Sequence, residues 1–287
     1  MNVSTTRLDG EVRSPRPAGT FGCPPAFFIL RNTSKKVVLL EGNRIGHGAT
    51  GHNAGQVTSY FERSFHELVE EFGLKLASEG QRSIEMAWEL LDAMYTEAGL
   101  NIPFSRFTGY AGFSTFDQIV SVPQEEILEK LETKNKNFIA LAETQKGVIN
   151  SALFTEEVAL YLLNKYKDRF SIFENTKVPK VVLKADHAIL DAGNHSVSTD
   201  RVVLCTNGFE NIKIFNTTGL EIDTRFHHSI HGVVGRMFGY IEEMSKPPTA
   251  ISYYISPQLG FDDMNDPYFY LTRRVYEHFT TLNQQKN

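Results

Sequence analysis

Cysteine is scarce here: Cys23 and Cys205, far apart, are the only two in 287 residues. That excludes a disulfide framework and a cysteine-based metal site, and it fits a reducing compartment. Long apolar runs are lacking as well. No stretch approaches the roughly 18 apolar residues a membrane span needs. Residues 1–20 hold no apolar signal-peptide core, and Asp9 and Glu11 sit among the arginines. A cytoplasmic location is the expectation. There is no excess of positive charge: 29 Lys and Arg against 34 Asp and Glu leave a net −5. That argues against a general nucleic-acid binder or a binder of anionic membranes. Internal repeats, low-complexity tracts, a Walker loop, zinc spacing and a Ser-His-Asp pattern are all missing.

What remains is ordinary soluble composition, 41% hydrophobic and 22% charged, with enough apolar material for one large domain or two moderate ones. Residues 1–17 read as irregular. Ala26–Leu30 reads as a turn or two of buried helix. Val37–Leu40 is four consecutive β-prone apolar residues between turn signals, the mark of a strand buried on both faces in a parallel sheet. Apolar spacing predicts helix from Ser64 to about Ala98, divided at Gly73 or Gly80. Residues 102–120 read as β-prone, and Glu125–Lys134 as a short charged helix. Thr155 is placed as the N-cap of a helix running through Leu160, Leu163 and Tyr166. Strands follow at Phe170–Phe173, Val178–Leu183, His187–Leu190 and Arg201–Cys205. Later aromatic and β-branched runs, Gly232–Ile241, Ala250–Ile255 and Tyr268–Leu271, read as antiparallel strands.

The most informative segment is Val37-Val38-Leu39-Leu40-Glu41 followed by Gly46-His47-Gly48-Ala49-Thr50-Gly51-His52-Asn53-Ala54-Gly55-Gln56. An acidic residue closing a parallel strand can accept hydrogen bonds from both hydroxyls of a ribose. Four glycines in ten residues let backbone approach a ligand where side chains would obstruct it. Thr50 and Asn53 add short polar groups suited to a phosphate or a ring edge. Composition alone equally allows a surface strand with a flexible loop.

The order of these residues resembles the second strand and following loop of the D-amino-acid-oxidase-type FAD-dependent oxidoreductases, the family of glycine, sarcosine and γ-glutamylputrescine oxidases. Thr176-Lys177-Val178, Val202 to Gly208 and Gly232 to Met237 resemble later strands of that family. The resemblance implies an α/β fold. A dinucleotide-binding (Rossmann-like) FAD domain would be assembled from residues 17–65 and 145–215, with an antiparallel-sheet substrate domain from 66–144 and 216–287. It implies FAD as cofactor, a small-molecule amine or amino acid as partner, and hydride transfer from the carbon bearing nitrogen, followed by imine hydrolysis. Glu41 would hold the adenosine ribose. Gly48, Ala49, Thr50, Asn53, Gly55 and Gln56 would line the pyrophosphate and flavin. Val178 would meet the adenine, and Thr206, Asn207 and Gly208 would close over the cofactor.

The family's first phosphate loop, G-x-G-x-x-G, falls here on Pro17, Gly19 and Gly22, so its first glycine is replaced by proline. Pro24 and Pro25 stand where the phosphate-binding helix would already be under way, so that helix is expected to start late. The family continues beyond residue 274 into a further strand, a glycine turn and a final helix, whereas this sequence runs out in polar residues. The competing reading is therefore a truncated, non-catalytic remnant with weak or no FAD binding. His52 falls where some relatives carry a histidine joined covalently to flavin; the alternative is a histidine that shapes the loop. Arg273 and Arg274 fall where the family binds a substrate carboxylate, and Tyr254 is a candidate pocket residue; a surface pair and a core aromatic are the alternatives. His227, His228 and His231 have a metal-like spacing without an acidic or cysteine partner, so no metal is expected.

Overall fold

The computed structural model describes residues 22–61, 65–113, 123–206, 212–224, 237–239, 245–254 and 268–276. The chain divides into two compact units. Unit 1 comprises residues 1–53, 94–102 and 151–239; unit 2 comprises 54–93, 103–150 and 240–287.

Unit 1 opens with helix α1, Cys23–Asn32, which buries Cys23, Ala26, Phe27 and Leu30. These sit at i, i+3, i+4 and i+7, one face of a helix. The prolines decide where α1 starts. Proline lacks an N–H and clashes with the preceding turn, so it is tolerated only in a first turn, where the amide would have no helical partner. Pro24 and Pro25 occupy that turn, and the first helical bond runs from Ala26 N to Gly22 O at 3.1 Å. The helix thus starts at Cys23, ahead of both prolines, and takes them into its first turn.

Arg169 closes the other end of α1. Its guanidinium donates to the carbonyls of Leu30 (3.1 Å), Thr33 (2.7 Å) and Lys35 (3.3 Å). A cation there also complements the negative end of the helix dipole. Strand β1, Val37–Leu40, pairs in parallel with β5, Phe170–Phe173, as its apolar run predicted. Helix α5, Ser151–Lys165, packs on α1, with the Phe27 and Tyr161 rings 5.7 Å apart.

A second sheet of unit 1 has the order β8-β7-β6-β9, with β6 Lys180–Leu183, β7 Ala188–Asp191, β8 Ser196–Thr199 and β9 Lys213–Asn216. β6 and β9 are parallel and the other pairs antiparallel. Leu40, Val178, Val181, Leu190, Ile212 and Ile214 form the core beneath it.

Two local expectations change, and a third lies mostly outside the described residues. Thr155 is not an N-cap: α5 begins four residues earlier, and the buried Thr155 hydroxyl donates back to Ser151 O at 2.8 Å. This is the back-bonding that lets threonine sit inside a helix. Residues 201–205 form no strand beyond one bridge at Leu204, although Val202 and Leu204 pack against the core; their apolar run marked burial rather than a ladder. The short, half-polar β8 and β9 carried no clear pattern. Of Gly232–Ile241, only 237–239 are described, and these are not in a strand.

Unit 2 is built on one five-stranded sheet of order β11-β10-β3-β4-β2, with β2 Gln56–Thr58, β3 Phe104–Phe113, β4 Ala140–Ile149, β10 Thr249–Tyr254 and β11 Tyr268–Arg273. Its pairs are antiparallel except β3 with β10, so the sheet is mixed. The sheet curls strongly, as twisted sheets do. Gln56 on one edge strand donates to Leu271 O (3.3 Å) and Thr272 Oγ1 (3.0 Å) on the other. Helix α2, Phe65–Glu85, breaks at Gly73, where φ is 78°, and α3, Ala87–Ala98, begins in this unit. Helix α4, Gln124–Lys130, covers a core of Ile127, Leu131, Phe138, Leu141 and Ile251.

A lysine crosses the sheet. Lys146 of β4 is fully buried, and its ammonium donates to Ser252 Oγ (3.0 Å) on β10 and to Tyr110 O (3.3 Å). The Tyr60 ring lies 5.9 Å from the charge. Gly109 makes the crossing possible. A Cβ there would lie 2.5 Å from Lys146 Cδ and 2.8 Å from Ala250 O. Gly109→Ala is expected to destabilise unit 2 by about 1–3 kcal/mol, because a backbone oxygen cannot swing aside. Urea unfolding checks this, and an unchanged midpoint refutes it.

Glu132 ties the same unit together through charge. It accepts two bonds from the Arg273 guanidinium (2.8 and 3.0 Å) and one from Lys246 (2.9 Å). Arg273 first, and Lys246 after the opposing effect of burial, hold its carboxyl near about 2, against an ordinary 4.5. A carboxyl depressed in the folded state stabilises the fold fully above its unfolded value, and that stabilisation is lost as pH falls toward the folded one. Glu132→Gln is therefore expected to lower stability at pH 7 and to flatten its decline between pH 4.5 and about 2. Denaturation midpoints across that window test it; parallel curves for both proteins would contradict it.

Candidate site at the end of strand β1

Glu41 closes β1 and is 3% exposed. Its backbone continues the parallel ladder: its N–H donates to Phe173 O (2.9 Å), and its carbonyl accepts from Thr176 N (2.8 Å). Its carboxylate accepts from Asn43 N at 2.9 Å and thereby shapes the turn that leaves the strand. That turn is pinned to the segment after β5, where Asn175 N donates to Asn43 O (2.7 Å) and Glu174 Oε1 accepts from Ile45 N (2.7 Å). Leu40 and Val178 share one core. The structure thus brings Glu41 and the Thr176–Val178 segment together.

The start of α1 and residue 205 converge on the same place. Cys23 is completely buried and its thiol is pushed up to about 12, first by burial and then by the nearby Glu41 charge and Cys205. The Cys205 thiol is itself raised to about 11 by burial. Gly22, the candidate from the phosphate loop, is buried at the head of this helix. Thr206 is half-buried just beyond Cys205. Gly19, Asn207 and Gly208 lie outside the described residues.

The glycine-rich loop folds as tight turns over the start of α5. Gly51 N donates to Gly48 O (3.0 Å) and His52 N to Ala49 O (3.3 Å). Asn53 Nδ2 donates to the Ala49 and Thr50 carbonyls (2.9 and 2.8 Å). Ser151, the first residue of α5, donates to Thr50 O (2.6 Å) and Asn53 Oδ1 (2.9 Å). Among the described residues, Thr50 Oγ1 is buried without a hydrogen-bond partner. A buried orphan hydroxyl is unusual and calls for an explanation. His47 meets Glu156 of α5 at 3.4 Å, and burial raises that carboxyl, with His47 and Arg44 opposing. Sequence reasoning missed Ser151 and Glu156. The signal was there: Asn150-Ser151 directly precedes an apolar run, which is a helix-start pattern.

His52 is exposed, and its Nδ1–H donates to Gly48 O (2.7 Å), so the ring braces the loop through one nitrogen. Past Asn53 the chain enters unit 2. There Gly55, at φ +77°, lies so close to β4 that a Cβ would be 1.8 Å from Ile149 O, and only glycine fits. Gln56 is engaged with Leu271 and Thr272, beside the arginine pair. The Arg273 guanidinium is taken up by Glu132, while Arg274 is half-buried and donates to Val275 O (3.2 Å). The Tyr254 side chain and the histidines at 227, 228 and 231 lie outside the described residues. Among the described residues, no cluster of His, Cys, Asp and Glu could hold a metal, and no helix is long and apolar enough to cross a membrane.

Comparison with known proteins gives this geometry its context. Residues 18–280 match the model of the FAD dependent oxidoreductase family. A curated relative, a probable oxidoreductase of Haemophilus influenzae, is 26% identical over 121 residues, which are 42% of this chain and 26% of that one. Among solved structures, glycine oxidase from Geobacillus kaustophilus superposes with a TM-score of 0.50 at 14% identity, covering 72% of this chain and 55% of that one. L-proline dehydrogenase from P. horikoshii gives 0.49 at 14%, covering 72% and 53%. The chain therefore spans about a quarter of that curated relative and about half of those structures. A family match over nearly the whole sequence, on a mixed α/β fold with a buried glutamate ending a parallel strand, settles the assignment: this chain belongs to the FAD dependent oxidoreductase family, whose cofactor is FAD.

Proposed function

We propose that unit 1 holds FAD and that the chain serves the oxidation of a C–N bond in a small amine or amino acid, with unit 2 as the substrate side. The observation that carries this reading is Glu41, a buried carboxylate at the C-terminal end of a parallel strand, flanked by the backbone of Thr176. That is where a dinucleotide fold meets a ribose.

The residues present suit much of the cofactor. Glu41 accepts from Asn43 N–H, and its carboxylate is the acceptor type that ribose hydroxyls donate to. The orphan hydroxyl of Thr50 is a group that a bound ligand would satisfy. Ser151 and Asn53 hold the glycine loop in one shape, so little ordering is left for binding to cost. When bound, the flavin supplies the hydride acceptor, and the protein's part is to position the donor carbon and exclude water. A glycine oxidase among the similar folds supports an amino acid as the kind of substrate. In this reading Arg273 and Arg274 stay the candidates for a substrate carboxylate, and Arg273 also holds Glu132 bidentately. His52 stays a loop-shaping residue, braced through Nδ1.

The test is direct. Purified chain incubated with FAD and freed of excess should keep the yellow oxidised-flavin absorption, bleach when a suitable amine or amino acid is added under nitrogen, and recover in air. Glu41→Gln should weaken FAD binding by about 10- to 100-fold, the loss of charge on one hydrogen-bonding group. A folded, colourless protein that ignores FAD, or a Glu41→Gln protein that binds as before, would overturn the assignment.

A further inference from the structure

We propose that Pro24 and Pro25 tilt dinucleotide recognition in this chain toward the adenosine end, leaving the start of α1 a weak holder of pyrophosphate. This rests on the reading that unit 1 binds FAD. A helix N-terminus attracts phosphate because the amides of its first residues have no partner within the helix and point at the anion. The four residues that open α1 are Gly22, Cys23, Pro24 and Pro25, and two of them have no N–H to offer. The next amide, Ala26 N–H, is already spent on Gly22 O at 3.1 Å. Among the described residues at this helix start, the Gly22 and Cys23 amides are left.

Charge works in the same direction. The positive end of a helix dipole resides largely on those unpartnered amides, so removing half of them weakens it. The Glu41 carboxylate already acts on Cys23 at this helix end, so an incoming phosphate meets a like charge there. The carboxylate that favours a ribose thus disfavours the phosphate beside it. Sequence dictates both, and the helix start imposed by the prolines puts them at one place.

The experiment measures adenosine, ADP and FAD binding to the full chain by calorimetry, alongside a Pro24→Ala/Pro25→Ala double variant. On the native chain, ADP should bind within about tenfold of adenosine, since little is gained from the phosphates. Restoring two N–H donors should tighten ADP and FAD by roughly tenfold or more and leave adenosine unchanged. ADP binding the native chain about a hundredfold better than adenosine overturns the proposal while leaving the FAD assignment intact. So does a folded double variant with unaltered ADP affinity. If the double variant fails to fold, the native adenosine-to-ADP ratio decides alone. If none of the three ligands binds the native chain, the FAD assignment falls and this proposal with it.

Discussion

A carboxylate withdrawn from water must be given hydrogen bonds, and much of unit 1 is arranged around meeting that demand at Glu41. The turn after β1 brings Asn43 N–H to its oxygen, and the ladder with β5 runs on through its own N–H and carbonyl to Phe173 and Thr176. Glu174 and Asn175, just after β5, hold the same turn from the other side. Burying a charge is costly unless it is paired and hydrogen-bonded. Each contact here therefore stabilises a fold in which an acidic group waits at the end of a parallel strand. Every functional reading of the chain descends from that placement.

The start of α1 shows two demands in conflict. Helix formation accepts two consecutive prolines only in a first turn, and the apolar face of Cys23, Ala26, Phe27 and Leu30 gives the helix reason to form there. Phosphate binding wants free amides in that same turn. Folding prevails, because burying four side chains outweighs two absent donors, and the ligand end carries the deficit.

Unit 2 solves a different problem. Lys146 lies inside the sheet with its charge on Ser252 and Tyr110, a costly arrangement that works only because Gly109 leaves a channel across β3. Glu132 gathers Arg273 and Lys246 near β11, so the arginine that sequence suggested for a substrate carboxylate already grips a carboxylate of its own chain.

How much of this was legible beforehand follows from the range of each interaction. The apolar run 37–40, the terminal Glu41 and the glycine loop act over a few residues, so sequence alone determined a parallel strand, an acidic end and the family to which they belong. The start of α5 was legible at Asn150-Ser151 and was misplaced at Thr155, whose hydroxyl has two local uses. Only tertiary structure decided that Val202 and Leu204 pack without a ladder, that Gln56 reaches Leu271 across a curled sheet, and that Arg273 belongs to Glu132. Those contacts join residues tens to hundreds of positions apart. No local pattern encodes them, because their partners are chosen by how the strands stack and bend.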